Sequence, residues 1–163
     1  TILIQPINLI LFPKILENID NYRLIKSALF KFYFFVFFSV FIVYIMSEIF
    51  FLDFMNLFFE HGSFTGKDSE MLYALFSIYL IGIIGMMSMN IQNKILAVLG
   101  LHNIQIYFSL AFVAIYLICM VYFSDMYGYL SVGYSYAFSW SMYSIVIFLI
   151  INRRLSHASA SFN

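Results

Sequence analysis

Charged residues and cysteines are both scarce in this sequence of 163 residues. Only 10% of the residues are charged, whereas an average globular chain has about a quarter. The single cysteine, Cys119, excludes a disulfide framework and a thiolate metal cluster. The net charge of zero gives no indication of nucleic acid binding. Because 64% of the residues are hydrophobic, the composition indicates an integral membrane protein rather than a soluble domain.

Four long apolar runs occupy most of the chain. A helix needs about 20 apolar residues to cross a hydrocarbon core of about 30 Å, and each run approaches or exceeds that length. We expect transmembrane helices at about residues 31–52, 71–89, 95–121 and 134–152. The connections between them contain the polar residues and most of the glycines that interrupt helices.

An amphipathic front segment precedes the first apolar run. From Ile15 to Leu29 apolar residues recur at helical spacing, and the charged residues between them occupy the other face. Such a helix lies at a membrane surface or packs against a partner subunit, and the sequence permits both. The predicted fold class is thus an all-α integral membrane protein with four transmembrane helices preceded by an amphipathic interfacial helix.

The basic residues predict the orientation of these helices. Lys31 and three further basic residues precede or open the first span, Lys94 separates the second from the third, and Arg153 and Arg154 follow the fourth. With four spans these residues share one side of the membrane, while the acidic polar loop at 53–70 lies on the other. By the positive-inside rule, both termini then face the matrix or the cytoplasm.

A short polar stretch separates the second apolar run from the third. It reads Asn90-Ile-Gln-Asn93-Lys94, it follows Gly82 and Gly85, and His102 comes nine positions after Asn93. We expect a tight turn at residues 90–94, which would make the flanking helices antiparallel neighbours.

This pattern resembles chain 4L of NADH–quinone oxidoreductase, respiratory complex I. In that family the turn usually reads Asn-Arg-Arg-Asn, and a membrane-buried Glu stands where this chain has His102. The resemblance continues in Ser124-Asp125-Met-Tyr-Gly128, which is similar to the family's Asp-Asp-x-x-Gly, and it ends in a basic stretch at residues 152–154. It covers about residues 73–154. The family's second buried Glu corresponds to Met142.

The resemblance implies a division of the chain and a function. The implied parts are an amphipathic front segment (1–30), an extra transmembrane helix (31–52), a polar loop (53–70), a three-helix 4L-like core (71–154) and a polar tail (155–163). The implied function is that of a membrane-arm subunit that takes part in coupling quinone reduction to proton translocation. No cofactor, metal or redox centre of its own is expected. The expected partners are other membrane subunits and lipids in the inner mitochondrial membrane, with both termini on the matrix side.

His102 is the main candidate for chemistry. In a helix that begins at residue 95 it would lie inside the hydrocarbon, with Gln105 and Ser109 on the same face at i+3 and i+7. An intramembrane ionisable residue indicates a functional site, and histidine exchanges protons near neutral pH. His102 and Gln105 are therefore candidate proton-relay residues. The alternative is a neutral histidine that holds helices together by hydrogen bonds.

Two other classes of function remain open. A structural or assembly subunit of another respiratory complex or of ATP synthase would keep proton coupling intact when His102 is replaced by Gln. A haem-b membrane anchor subunit would lose a b-type spectrum in His102→Ala. Its second axial ligand would have to come from a partner, because His61 and His157 lie in the predicted loop and tail.

Overall fold

The computed structural model describes residues 22–59 and 65–160, together with Pro13. Within these ranges the backbone is helical except for short connections, and no β-strand occurs. The helices are α1 (Tyr22–Phe58), α2 (Gly66–Val98), α3 (His102–Tyr127) and α4 (Ser131–Ala160), with a 3-10 turn at Gly128–Leu130 between α3 and α4.

Three helical segments within these ranges are long and apolar enough to cross a membrane. They are Arg23–Phe58, Gly66–Val98 and His102–Ser156, the last of which contains α3 and most of α4. The prediction of an almost entirely helical protein with apolar helices suited to a membrane is confirmed at this level.

Helix α1 extends beyond the first predicted span at both ends. It contains 37 residues with neither Gly nor Pro, and at about 1.5 Å per residue it is about 55 Å long. The predicted span 31–52 lies inside it, so no break separates residues 22–30 from the apolar run. The rest of the predicted front segment, apart from Pro13, lies outside the described residues.

A capping interaction defines the start of α2. Thr65 donates from its backbone N–H and from its hydroxyl to Asp68 Oδ2, each at 2.8 Å. The Asp68 backbone N–H donates in return to the Thr65 carbonyl at 2.9 Å, and such contacts satisfy polar groups at the free end of a helix. Because α1 reaches Phe58 and α2 begins at Gly66, the connection is shorter than the polar loop predicted at residues 53–70. Part of this connection lies outside the described residues.

The turn predicted at residues 90–94 is wrong, because α2 continues through it and ends at Val98. The chain reverses instead at Gly100, whose φ of 70° is a left-handed conformation that glycine adopts at little cost. The Leu101 N–H donates to the Leu96 carbonyl at 2.8 Å, which closes the end of α2. Gln and Lys are good helix formers and Asn disfavours helix less than Gly does, so the helix can continue through the polar stretch.

Helices α1 and α3 run antiparallel to α2 and α4. Tyr33 near the start of α1 contacts Gln92 near the end of α2, while Phe51 near the end of α1 stacks on Phe76 with ring centroids 5.2 Å apart. The ring pairs that show the same reversal between α3 and α4 are Phe108–Tyr143, Phe112–Trp140, Phe123–Phe138 and Tyr127–Tyr134. Helices α2 and α4 are therefore parallel.

Glycines allow the backbones of α2 and α4 to approach closely. A Cβ added to Gly85 would lie 2.6 Å from the carbonyl carbon of Trp140, and one added to Gly82 would lie 2.9 Å from Ala137 Cα. Both distances are far below ordinary van der Waals contact. Small residues at a helix contact are typical of helix pairs that associate in membranes.

The core lies between α1, α2 and α4. Its buried side chains are Ile25, Leu29, Phe32 and Val36 of α1, Ile91, Ile95 and Leu96 of α2, and Tyr143, Ile147, Ile151 and Leu155 of α4. Helix α3 has no fully buried residue and contacts mainly α4. Most of its apolar surface is therefore exposed.

The helix directions separate the charges of the described residues. One end of the molecule, here called the basic end, carries Arg23, Lys26, Lys31, Lys94, Arg153 and Arg154. The other, here called the acidic end, carries Glu48, Asp53, Asp68, Glu70 and Asp125, together with Lys67.

Candidate functional site

A buried hydrogen-bond network at the basic end joins three helices. Gln92 of α2 has no exposed surface. Its Nε2 donates to the Ser144 carbonyl at 2.8 Å and to the Ser144 hydroxyl at 3.2 Å on α4, and also to the Tyr33 hydroxyl on α1. One carboxamide thus connects α1, α2 and α4. We call Gln92, Tyr33 and Ser144 the Gln92 network.

Helical spacing and ring packing place these groups together. Gln92 follows the buried Ser88 by one turn on α2, so the two side chains lie on the same face of the helix. The Tyr33 ring packs edge-on against Phe148 of α4, with centroids 5.3 Å apart. This contact holds α1 against α4 at the level where Ser144 reaches Gln92.

Several polar atoms near the network and along α4 are buried without a hydrogen-bond partner. They include Gln92 Oε1, the hydroxyl of Tyr143 beside Ser144, and the hydroxyls of Ser135 and Ser139 further along α4. An unsatisfied buried group costs about 1–3 kcal/mol. A bridging water relieves that cost where the site is polar and roomy enough to hold one.

The Gln92 network offers donors and acceptors but no group that titrates near neutral pH. It can hold three helices in register and orient water, whereas proton exchange needs an imidazole or carboxyl group nearby. Among the described residues, no group of three or more His, Cys, Asp or Glu side chains could hold a metal ion.

The predicted relay residues His102 and Gln105 take no part in the hydrogen bonds of the Gln92 network. His102 is the first residue of α3 and is exposed, and Gln105 is half-buried. The prediction that His102 lies eight residues into a helix is wrong, since α2 reaches Val98 and α3 begins only at His102. Ser109 donates to the Gln105 carbonyl at 2.9 Å, so these two residues adjoin on α3.

Gln92 is absent from the residues predicted to be functional, because the polar stretch 90–94 that contains it is expected from the sequence to form a turn. Ser88 lies four residues before Gln92, and Ile91 lies four residues before Ile95. This is the spacing of side chains on one face of a helix, and it indicates that the helix continues through that stretch. No Gly or Pro lies between Gly85 and Gly100 to interrupt it. These two features are the signals that would have predicted a buried glutamine.

The fold and the Gln92 network define a helical protein whose long apolar helices suit a membrane. No protein-family model, curated protein or solved structure matches the chain. Its function is inferred from its own residues.

Proposed function

We propose that this chain is a membrane-arm subunit of respiratory complex I, similar to chain 4L, that takes part in coupling quinone reduction to proton translocation and holds no redox centre. The observation that carries the proposal is the resemblance over residues 73–154. These residues fall on α2, α3 and α4, and α4 packs against both of the others. Gly82 and Gly85 of the resembling pattern lie at the α2–α4 contact.

The proposed topology has four membrane crossings. The segment His102–Ser156 contains 55 residues, which as helix would measure about 80 Å, whereas one crossing needs about 30 Å. The reversal between α3 and α4, at Gly128, supports two crossings within this segment. The positive-inside rule then places the basic end and both termini in the mitochondrial matrix.

In this proposal His102 and Gln105 form a proton relay at the basic end, in which His102 carries the proton and the neutral carboxamide of Gln105 only hydrogen-bonds to the water beside it. His102 is exposed at the start of α3, at the basic end of the molecule. Gln105 lies about one turn deeper and Ser109 about two turns deeper, so hydrogen-bonding groups continue along α3.

Other membrane subunits and lipids cover the outer surface in this proposal. Tyr107 and Val121 of α3 are 72% and 74% exposed, and neighbouring apolar residues of the helix are exposed with them. A continuous apolar surface of this kind marks contact with lipid or with other apolar helices.

The location of the chain is tested by gentle solubilisation of native membranes, separation of the intact complexes and mass spectrometry. We expect the chain to migrate with NADH dehydrogenase activity. Migration with a different complex would contradict the proposal and would leave the resemblance without functional meaning.

The relay is tested by His102→Gln in the assembled complex. We expect fewer protons translocated per NADH oxidised, because Gln cannot change charge near neutral pH. Asn103→Ser is the matched control, since Asn103 is also exposed at the start of α3 and lies on a different face. An unchanged proton yield in His102→Gln would remove the relay from the proposal.

A structural or assembly subunit of another respiratory complex or of ATP synthase is the second candidate. The Gln92 network favours it, because amide, phenol and hydroxyl groups join helices without changing charge near neutral pH. This candidate expects unchanged coupling in His102→Gln and a smaller amount of assembled complex in Gln92→Leu.

A further inference from the structure

An apolar groove of about 420 Å³ lies on the outer surface between α1 and α2. The groove is lined on α1 by Phe37, Val40, Phe41 and Tyr44, and on α2 by Ser77, Ile78, Leu80, Ile81 and Ile84. Its single serine, Ser77, donates to the Tyr73 carbonyl at 3.0 Å. The Ser77 hydroxyl therefore has a hydrogen-bond partner without a polar ligand. The chemistry of the groove suits a hydrocarbon chain.

Two basic residues lie on the same face of α1 as the groove. Lys26 and Arg23 precede Phe37 by 11 and 14 residues, which is about three and four helical turns. All three therefore project from one face, and Phe30, which is 72% exposed, lies between them on that face. An exposed apolar path thus connects the groove with two exposed cations.

The same face of α1 carries a negative charge beyond the other end of the groove. Glu48 follows Phe37 by 11 residues, and its carboxylate interacts electrostatically with the hydroxyls of Tyr44 and Tyr73. An anionic group is repelled at this end and attracted at the other. The order along α1 is therefore cations, apolar groove and then anion.

We infer that the groove binds an acyl chain of an anionic phospholipid whose headgroup is held by Arg23 and Lys26. The distance along α1 from Lys26 to Phe37 is about 16 Å, close to half of a hydrocarbon core of about 30 Å. A chain attached to a headgroup at Lys26 therefore reaches the groove at Phe37 with its terminal part. The inference requires only that α1 and α2 contact lipid, so it stands independently of the proposed complex.

A partner helix fits this groove less well. The α1 wall from Phe37 to Tyr44 is about 10 Å long, which is about the diameter of a single helix with its side chains. A helix packed lengthwise needs a longer groove, whereas one acyl chain fits a groove of this length.

The headgroup site is tested by native mass spectrometry of the full chain in detergent micelles, titrated with phosphatidylglycerol or phosphatidylcholine of identical acyl chains. The double variant Arg23→Gln/Lys26→Gln should bind phosphatidylglycerol about tenfold more weakly at low ionic strength, because each basic residue contributes to the attraction of an anionic lipid. Its affinity for phosphatidylcholine should stay unchanged.

Arg153→Gln/Arg154→Gln is the matched control, since it removes the same charge from the same end of the molecule but from α4. It should leave the affinity for phosphatidylglycerol unchanged. Equal losses in the two double variants, or no loss in Arg23→Gln/Lys26→Gln, would overturn the headgroup site.

The groove is tested by filling it. Ile81→Trp should weaken the binding of both lipids, whereas Leu117→Trp on the outer face of α3 should not. A photo-reactive benzoylphenylalanine at position 37 should form an adduct with lipid in native membranes. An adduct with a protein would assign the groove to a partner and overturn the inference, as would unchanged lipid binding in Ile81→Trp.

Discussion

At the scale of single residues, the buried Gln92 carboxamide supplies hydrogen bonds to two other helices. We expect Gln92→Leu to lower the free energy of unfolding by about 1–3 kcal/mol, because the Tyr33 hydroxyl and the Ser144 carbonyl stay buried without this donor. Reversible unfolding in mixed micelles measures the change.

A double-mutant cycle separates this contact from general packing. Tyr33→Phe combined with Gln92→Leu should lower the free energy of unfolding by less than the sum of the two single changes. Each single change removes the same hydrogen bond, and the double variant leaves fewer buried polar groups without a partner. Strictly additive losses would show that the two side chains are not energetically coupled.

At the scale of helices, the closest approach of α2 to α4 depends on Gly85. A Cβ there would meet the Trp140 backbone, which cannot move aside as a side chain can. We expect Gly85→Ala to lower the free energy of unfolding by about 1–3 kcal/mol. Gly85→Ala should also lower the midpoint temperature of thermal unfolding in detergent.

Gly133→Ala is the control for this prediction. Its Cβ would meet the side chains of Leu75 and Ile78 at 3.0 and 3.2 Å, and small rotations can relieve these contacts. Ala also favours helix over Gly by about 1 kcal/mol, so the net change should be near zero. Equal decreases in the free energy of unfolding for Gly85→Ala and Gly133→Ala would argue against a backbone contact at Gly85.

At the scale of the whole molecule, the separation of basic from acidic ends predicts which residues share a side of the membrane. In a Cys119→Ser background, Lys31→Cys and Arg154→Cys should react with a membrane-impermeant maleimide from the same side, and Asp125→Cys from the other. The reason is that four crossings return the chain to its starting side.

Labelling distinguishes four crossings from three. If the segment His102–Ser156 crossed only once, Arg154→Cys would react from the side opposite to Lys31→Cys. Sealed vesicles of known orientation, labelled before and after permeabilisation, give the result directly.

The apolar runs and the scarcity of charge were sufficient to predict an almost entirely helical protein with helices suited to a membrane. This was predictable because hydrophobicity and helical propensity are properties of consecutive residues. The approximate positions of the helices followed for the same reason, although α1 and α2 extend several residues beyond the apolar runs.

The end of α2 and the burial of Gln92 depended on residues far apart in the chain. A polar stretch at 90–94 predicts a turn when it is taken alone, but Tyr33 and Ser144 supply acceptors that allow Gln92 to stay buried in a helix. The pairing of α2 with α4 likewise depends on the shapes of two surfaces about 55 residues apart in the sequence, such as Gly82 and Ala137. Local sequence patterns specify helices, whereas the choice among helix partners is made by packing between distant residues.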